Sequence, residues 1–174
     1  MKHLVLVGLP GAGKTTIGRA AAAQAGLPFL DFDEEIGNRT GLSPSELFEQ
    51  RGEQSFRAEE LALSRELVGR HTIVVSPGGG WITQAAAREA LRSHAWLVYL
   101  KVSPAAAAAR LGRSASKRPL LAGEDPVVAL GRLLAGRRAL YESADQSVDT
   151  EVIDMQDVTE VVAEAARRCL AAPG

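Results

Sequence analysis

The sequence predicts an α/β domain in which a mostly parallel sheet is covered by helices on both faces. Three observations predict it. Short apolar, β-branched runs alternate with helical patterns along the whole chain. A glycine-rich stretch, "GLPGAGKTT" at 8 to 16, lies between the first apolar run and the first helix pattern. Two further segments suited to chemistry, the acids at 31–33 and the glycines at 77–80, also come directly after strand patterns. In such a sheet the ligand crevice lies at the carboxyl ends of the strands, so all three segments are expected to open on one cleft.

The elements follow in order. Residues 3–7 read as the first strand, 8–13 as a turn, and 14–25 as a helix closed by Gly26. A short strand reaches Asp31. Helices at 34–38, 44–50 and 54–68 follow, separated by glycine-bearing turns. "TIVVS", 72–76, is β-branched and apolar enough for an inner parallel strand, and Pro77 with the three glycines after it ends that strand. A helix at 83–92, a strand at 95–100 and a helix at 104–111 opened by Ser103 and Pro104 come next. A charged, glycine-containing link at 112–124, a helix at 126–143, a strand at 147–152 and a helix at 157–171 complete the pattern. With 174 residues the chain suits one catalytic domain, 1–174, with a helical acceptor-binding insertion at 32–61 and a lid at 112–124.

Composition excludes several classes. Twenty basic and 21 acidic side chains leave a formal charge of −1, which argues against a general affinity for nucleic acid or anionic membrane. The apolar run Leu4–Val7 is far shorter than a membrane span, and the alanine-rich pieces are interrupted too soon to be one. Cys169 is the one cysteine, so no internal disulfide can form; a reducing cytoplasm and a buried or half-buried helix position are expected for it.

Gly8, Gly13, Lys14 and Thr15 satisfy the spacing G-x-x-x-x-G-K-[ST] between a strand and a helix. In that context the backbone N–H groups turn toward phosphate oxygens, Lys14 approaches the outer phosphates, and Thr15 supplies an oxygen to magnesium. Gly11, Ala12, Gly13, Lys14, Thr15 and Thr16 are therefore the candidate nucleotide-binding set, Thr16 serving helix packing or capping rather than the metal. No N-K-x-D or T-K-x-D stretch for reading guanine is present, and the crossovers are compact. A kinase moving the terminal phosphoryl group of ATP to a small acceptor is the leading class.

The acceptor side draws on separated residues. Asp31 and Asp33 in "FLDFDEE" project to one side if the segment is extended, with Asp31 near magnesium and Asp33 on the acceptor hydroxyls; either acid could instead cap the following helix. Arg57 has Glu53 and Glu60 as helical neighbours for a local ion pair, and Phe48 and Phe56 as aromatic walls beside it. Gly78, Gly79 and Gly80 allow a ligand to approach the main chain. Trp81, next to them, is expected to pack rather than constrict the pocket. The link "RLGRSASKRPLLAGED" reads as a mobile cover that brings Arg118 over a phosphate and excludes water, with Arg110 and Arg113 flanking the nucleotide. Of Arg137 and Arg138, neighbours about 100° apart on a helix, one at most need face inward to bind a carboxylate in bidentate fashion; helical spacing does not choose between them.

These motifs in this order, "GLPGAGKTT", "FLDFDEEIGNRTG", "LFEQRGEQSFR", "PGGG", "RPLLAG" and "RRALY", resemble the shikimate kinase family. The resemblance covers nearly the whole chain. It implies a three-layer P-loop kinase fold of the nucleoside-monophosphate-kinase type, with a five-stranded parallel sheet in the order 2-3-1-4-5. It also implies transfer of the γ-phosphoryl group of ATP, with Mg2+, to the 3-hydroxyl of shikimate by a cytoplasmic monomer of the aromatic amino-acid pathway. By the resemblance Asp33, Arg57, Gly79, Gly80 and Arg137 contact shikimate, Arg137 being chosen over Arg138 by its place before the A-L-Y tail. Lys14 and Arg118 stabilise the moving phosphoryl group, Asp31 organises magnesium with Thr15, and Arg110 lies near adenine. Trp81, Pro77 and the segment "DTEVIDMQ", which lacks a basic, proline-containing adenine loop, depart from the family pattern. The competing readings are another kinase of this fold, such as a gluconate kinase, and a shikimate-binding sensor with weak turnover.

Overall fold

The structure, a computed structural model, describes residues 2–112, 115, 121 and 123–171. Five strands, β1 (His3–Val7), β2 (Phe29–Asp31), β3 (Val74–Ser76), β4 (Ala95–Lys101) and β5 (Gln146–Asp149), form one sheet in the order β2-β3-β1-β4-β5. Every pairing is parallel. β1 is central and wholly buried, as its uninterrupted apolar run requires of a strand covered on both faces. Helices α1 (Lys14–Ala25), α2 (Phe32–Thr40), α3 (Pro44–Leu67), α4 (Ala85–Leu91), α5 (Pro104–Leu111), α6 (Pro126–Glu142) and α7 (Met155–Ala171) lie between and beside the strands. α1 and α7 pack on each other against β1, and α1 approaches the sheet closely at Gly18, where a Cβ would meet Phe29 and Leu6 at 2.7 and 2.8 Å.

Topology sets the site. The chain leaves β1 toward β3 and β2 on one side and later returns to β4 and β5 on the other, so the crevice forms beyond the carboxyl end of β1. Register brings the strand ends level there: Asp31 at the end of β2 pairs with Ser76 at the end of β3.

Several local expectations change. The strand at 72–76 shortens to Val74–Ser76, and β5 lies at 146–149 rather than 147–152. α2 begins at Phe32, two residues before the predicted start, because the Asp31 side chain caps it. The two helices expected around 50–54 run on as α3, broken only at Gly52, whose φ of 77° is open to glycine and strained for other residues. The helix expected at 83–92 divides into a 3-10 turn, Trp81–Thr83, and α4. Most of the expected lid at 112–124, with Arg113 and Arg118, lies outside the described residues. Cys169 is buried on α7, as expected of it, with its thiol pushed up to about 11 chiefly by desolvation.

Candidate active site

A cleft of about 290 Å³ runs beyond the sheet and is lined by Gly11, Gly13, Lys14, Thr15, Thr16, Asp31, Asp33, Ser76, Pro77 and Gly79, and at its far end by Arg110, Leu111 and Met155. The phosphate loop occupies its floor. Gly13 takes a left-handed conformation (φ 89°) that turns the chain into α1, and the N-terminus of that helix faces the cleft. The Lys14 ammonium folds over the loop and donates to the carbonyls of Gly8 and Leu9 at 3.0 and 3.1 Å. Ala12 differs from its neighbours in the predicted set. Its side chain is fully buried in the core and its N–H donates to the Leu9 carbonyl. Thr16 is exposed on the cleft wall.

Asp31 and Asp33 do meet the cleft together, but not by the alternation expected of an extended segment. β2 ends at Asp31 and Asp33 already lies in the first turn of α2. Asp31 divides its two oxygens. Oδ1 accepts from the Asp33 and Glu34 backbone N–H groups, capping the helix, while Oδ2 accepts from the Thr15 hydroxyl at 2.7 Å. The Ser76 hydroxyl lies 3.5 Å from that of Thr15. This places three hard oxygen donors side by side at the phosphate end of the cleft. Such a set, one carboxylate with hydroxyls, fits Mg2+, which is ordinarily held by one or two protein oxygens plus phosphates and water. No cluster of three or more His, Cys, Asp or Glu suited to a metal occurs among the described residues, so an all-protein cage of that kind is absent there.

The glycine turn after β3 joins the acceptor residues. None of Gly78, Gly79 and Gly80 uses a positive φ; what demands glycine is space. A Cβ on Gly78 would lie 2.6 Å from Glu60 Oε1 and 3.1 Å from Asp33 Oδ1, and one on Gly80 would fall on the Arg57 guanidinium. The Gly79 carbonyl accepts from Arg137 Nη1 at 2.7 Å. Four side chains from three helices, Asp33 of α2, Arg57 and Glu60 of α3 and Arg137 of α6, thus converge on three successive residues. Of the adjacent arginines, Arg137 is 8% exposed and bonded to this turn, while Arg138 is exposed. Trp81 does not reach the cleft. It is buried behind the turn, with its indole N–H donating to Ser64 Oγ at 2.9 Å, and that hydroxyl in turn donates to the Glu60 carbonyl, so the turn is pinned to α3.

Arg57 is held by two carboxylates and two aromatic rings. It donates to Glu60 Oε2 at 2.7 Å and to Glu53 Oε1 at 2.9 and 3.1 Å, and its guanidinium carbon lies 6.0 and 5.7 Å from the Phe48 and Phe56 ring centres. The two rings are 5.0 Å apart and tilted, as aromatic pairs prefer. Burial pulls the Arg57 pKa down, yet the two carboxylates outweigh it and the net shift is upward. Glu60 was visible in the sequence only as one of two local partners for Arg57. The structure makes it the most deeply buried acid near the cleft, at 0% exposure, with its carboxyl pushed up to about 7. Desolvation is the main cause and Asp33 adds to it, against the attraction of Arg57 and a bond from the Gln84 amide. Oε1 has no hydrogen-bond partner among the described residues. At the other end of the cleft Arg110 donates to the Thr150 hydroxyl and carbonyl at 2.8 and 2.7 Å, fixing the segment between β5 and α7. Met155, which sequence reading did not single out, forms part of that end from within the divergent "DTEVIDMQ" segment.

The arrangement is one of an anion-binding loop facing an acid, with two guanidinium groups behind a glycine turn. Comparison with known proteins gives its family. The shikimate kinase family model matches residues 10–169. The chain belongs to the shikimate kinase family. A shikimate kinase of Halorhodospira halophila is 42% identical over 164 residues, 94% of this chain and 92% of the relative. One of Cupriavidus pinatubonensis is 43% identical over 149 residues, 85% of this chain and 77% of that one. Among solved structures, shikimate kinase from Acinetobacter baumannii in complex with shikimate superposes with a TM-score of 0.87 at 38% identity, covering 95% of this chain and 92% of the other. The three-layer P-loop kinase fold and the strand order agree with these relatives, and the family membership makes the chain an ATP-dependent kinase.

Proposed function

We propose that the chain transfers the γ-phosphoryl group of ATP to the 3-hydroxyl of shikimate, giving shikimate 3-phosphate and ADP. One observation carries the reading: the Gly78–Gly80 turn gathers Asp33, Arg57 and Arg137, and Asp33 and Gly79 of that group line the cleft together with Lys14. A small ring bearing a carboxylate and hydroxyls is what that combination recognises, since the two guanidinium groups match a carboxylate and Asp33 accepts from hydroxyls. Gluconate is also an acid with hydroxyls; the family membership favours shikimate.

The chemistry asks mainly for positioning and charge. The 3-hydroxyl oxygen forms the new bond to the γ-phosphorus as the bond to the β–γ bridging oxygen breaks, so ADP departs. Asp33 orients the attacking hydroxyl and accepts its proton. Lys14, already over the loop carbonyls, meets the charge that builds on the transferring oxygens. Thr15 and Asp31 would hold Mg2+, which supplies charge neutralisation between the β- and γ-phosphates when bound. Phe48 and Phe56 flank Arg57 beside the carbon skeleton of the acceptor. Gly11, Gly13 and Thr16 complete the phosphate end, and Arg110 with Met155 forms the end where the base lies. Arg118, outside the described residues, is assigned to the phosphoryl group by the family resemblance alone. The proposed unit is a single kinase domain with residues 32–61 as acceptor-binding helices, acting as a cytoplasmic monomer, a setting in keeping with the lone buried thiol. No helix among the described residues is long and apolar enough to cross a membrane.

The test is ADP release by the purified protein with shikimate, gluconate, nucleoside monophosphates or no acceptor, each with ATP or GTP and magnesium. Shikimate-dependent release with ATP is expected. Equal release without acceptor, or a preference for gluconate, would overturn the proposal.

A further inference from the structure

Tyr141 stands out among groups that the proposed reaction does not use. It lies one helical turn beyond Arg137 on α6, so the two side chains share a face. The residue is 0% exposed, and its ring stacks on Tyr99 of β4 with centres 5.0 Å apart and planes 9° from parallel. The stack explains the ring, which phenylalanine would serve as well. It does not explain the hydroxyl, which completes no well-formed hydrogen bond among the described residues and whose one charged neighbour close enough to interact with it is the Arg137 side chain. An unsatisfied buried hydroxyl is costly to retain, and its surroundings must account for it. Here the surroundings are a cation. Burial pushes the phenol pKa up, and the Arg137 guanidinium is the one charge drawing it back.

Arg137 has donors to spare. Its fork carries five N–H groups, and the bond to the Gly79 carbonyl uses one. A guanidinium that binds a carboxylate in bidentate fashion must be held in its plane from behind, because a fork that rotates loses both bonds together. Gly79 holds one corner. The neutral phenol oxygen of Tyr141, fixed by the stack on Tyr99, is the acceptor placed to hold another.

We infer that Tyr141 is a positioning residue for Arg137: when the acceptor's carboxylate binds, the buried hydroxyl accepts from the guanidinium and sets the plane in which that carboxylate is held. The inference rests on the reading of Arg137 as a carboxylate binder. Tyr141→Phe keeps the ring, the stack and the buried volume, and removes only the oxygen. It should raise the KM for shikimate about tenfold, the scale of one hydrogen bond to a charged group, while kcat and the KM for ATP stay within about twofold. In an Arg137→Ala background the same change should leave the shikimate KM unaltered, since its route of action is gone.

The outcomes separate. If Arg137→Ala leaves the shikimate KM at the wild-type value, the reading of Arg137 fails and the inference falls with it. If Arg137→Ala raises KM but Tyr141→Phe shifts only the melting temperature, the reading of Arg137 stands and Tyr141 is structural alone. A Tyr141→Phe effect of equal size with and without Arg137 would also overturn the inference, because the hydroxyl would then act by another path.

Discussion

Glu60→Gln probes the balance that holds Arg57 in place. Glu60 is wholly buried and its carboxyl titrates near 7 instead of the ordinary 4.5, because the loss of water outweighs the attraction of Arg57. An acid whose pKa is raised by folding binds its proton more tightly in the folded chain. Between about pH 4.5 and 7 the native state therefore holds more protons than the unfolded one, and stability falls as pH rises through this window. The difference of about 2.5 units corresponds to roughly 3 kcal/mol at pH 8. Glutamine has nearly the same shape and cannot ionise. Its oxygen can keep accepting from Arg57 and Gln84, and its amide N–H fills the place of the orphaned Oε1 beside Asp33. The variant and the wild type should respond alike to pH below about 4.5, and the variant should gain on the wild type by about 3 kcal/mol on going to pH 8. For a chain of this length that is about 6–12 °C in Tm. Thermal unfolding of both proteins across pH 4 to 8 measures the gap. A gap that does not change with pH would show that Glu60 does not titrate abnormally. A variant that loses ground above pH 7 would show that the ion pair with Arg57 exceeds the cost of burial, and the reasoning would fail.

The other predictions concern the site and one distant histidine. Asp33→Asn should lower kcat by about 10²–10⁴ with the Tm nearly unchanged, as removal of a proton-accepting carboxylate implies; near-normal turnover would refute its role. Arg137→Ala should raise the shikimate KM by about tenfold or more, and Arg138→Ala, which alters an exposed side chain, should leave it within about twofold. Gly80→Ala places a methyl group on the Arg57 guanidinium, so a loss of about 1–3 kcal/mol and a higher shikimate KM are expected, visible in denaturant titration and initial rates. His3 is buried with Nε2 at the Leu67 carbonyl and Nδ1 accepting from the Ile73 N–H, and desolvation chiefly lowers its pKa. The stability it contributes is complete above pH 6.5 and declines below it as acid protonates the unfolded chain first, so His3→Gln should flatten the wild-type loss as pH falls below 6.5 in thermal scans.

Local chemistry carried much of the site into the sequence. The glycines, lysine and threonine of 8–15 had to follow a strand and open a helix, because only that setting turns successive N–H groups toward an anion. The acids at 31–33 and the glycines at 78–80 were likewise placed at strand ends by the patterns around them. Their exact use was not legible. Asp31 and Asp33 reach the cleft through a helix cap rather than strand alternation, since a side chain that can satisfy two helix N–H groups starts the helix at once. Gly78 and Gly80 are required by the protein's own Glu60, Asp33 and Arg57, from elements 18 or more residues away in sequence.

By itself the sequence determined the alternation of strands and helices, the phosphate loop and the family, all of which depend on residues close together or on motifs in fixed order. The motif order had already favoured Arg137 over Arg138, and the bond from Arg137 to the Gly79 carbonyl shows which of the two faces the turn. Only the tertiary structure decided that Glu60 is the most deeply buried acid of the site and that the Tyr141 hydroxyl is buried one helical turn from Arg137 without a completed hydrogen bond. Burial and the pairing of charges are properties of what packs against a side chain. Those neighbours come from other elements, and a linear pattern read a few residues at a time does not contain them.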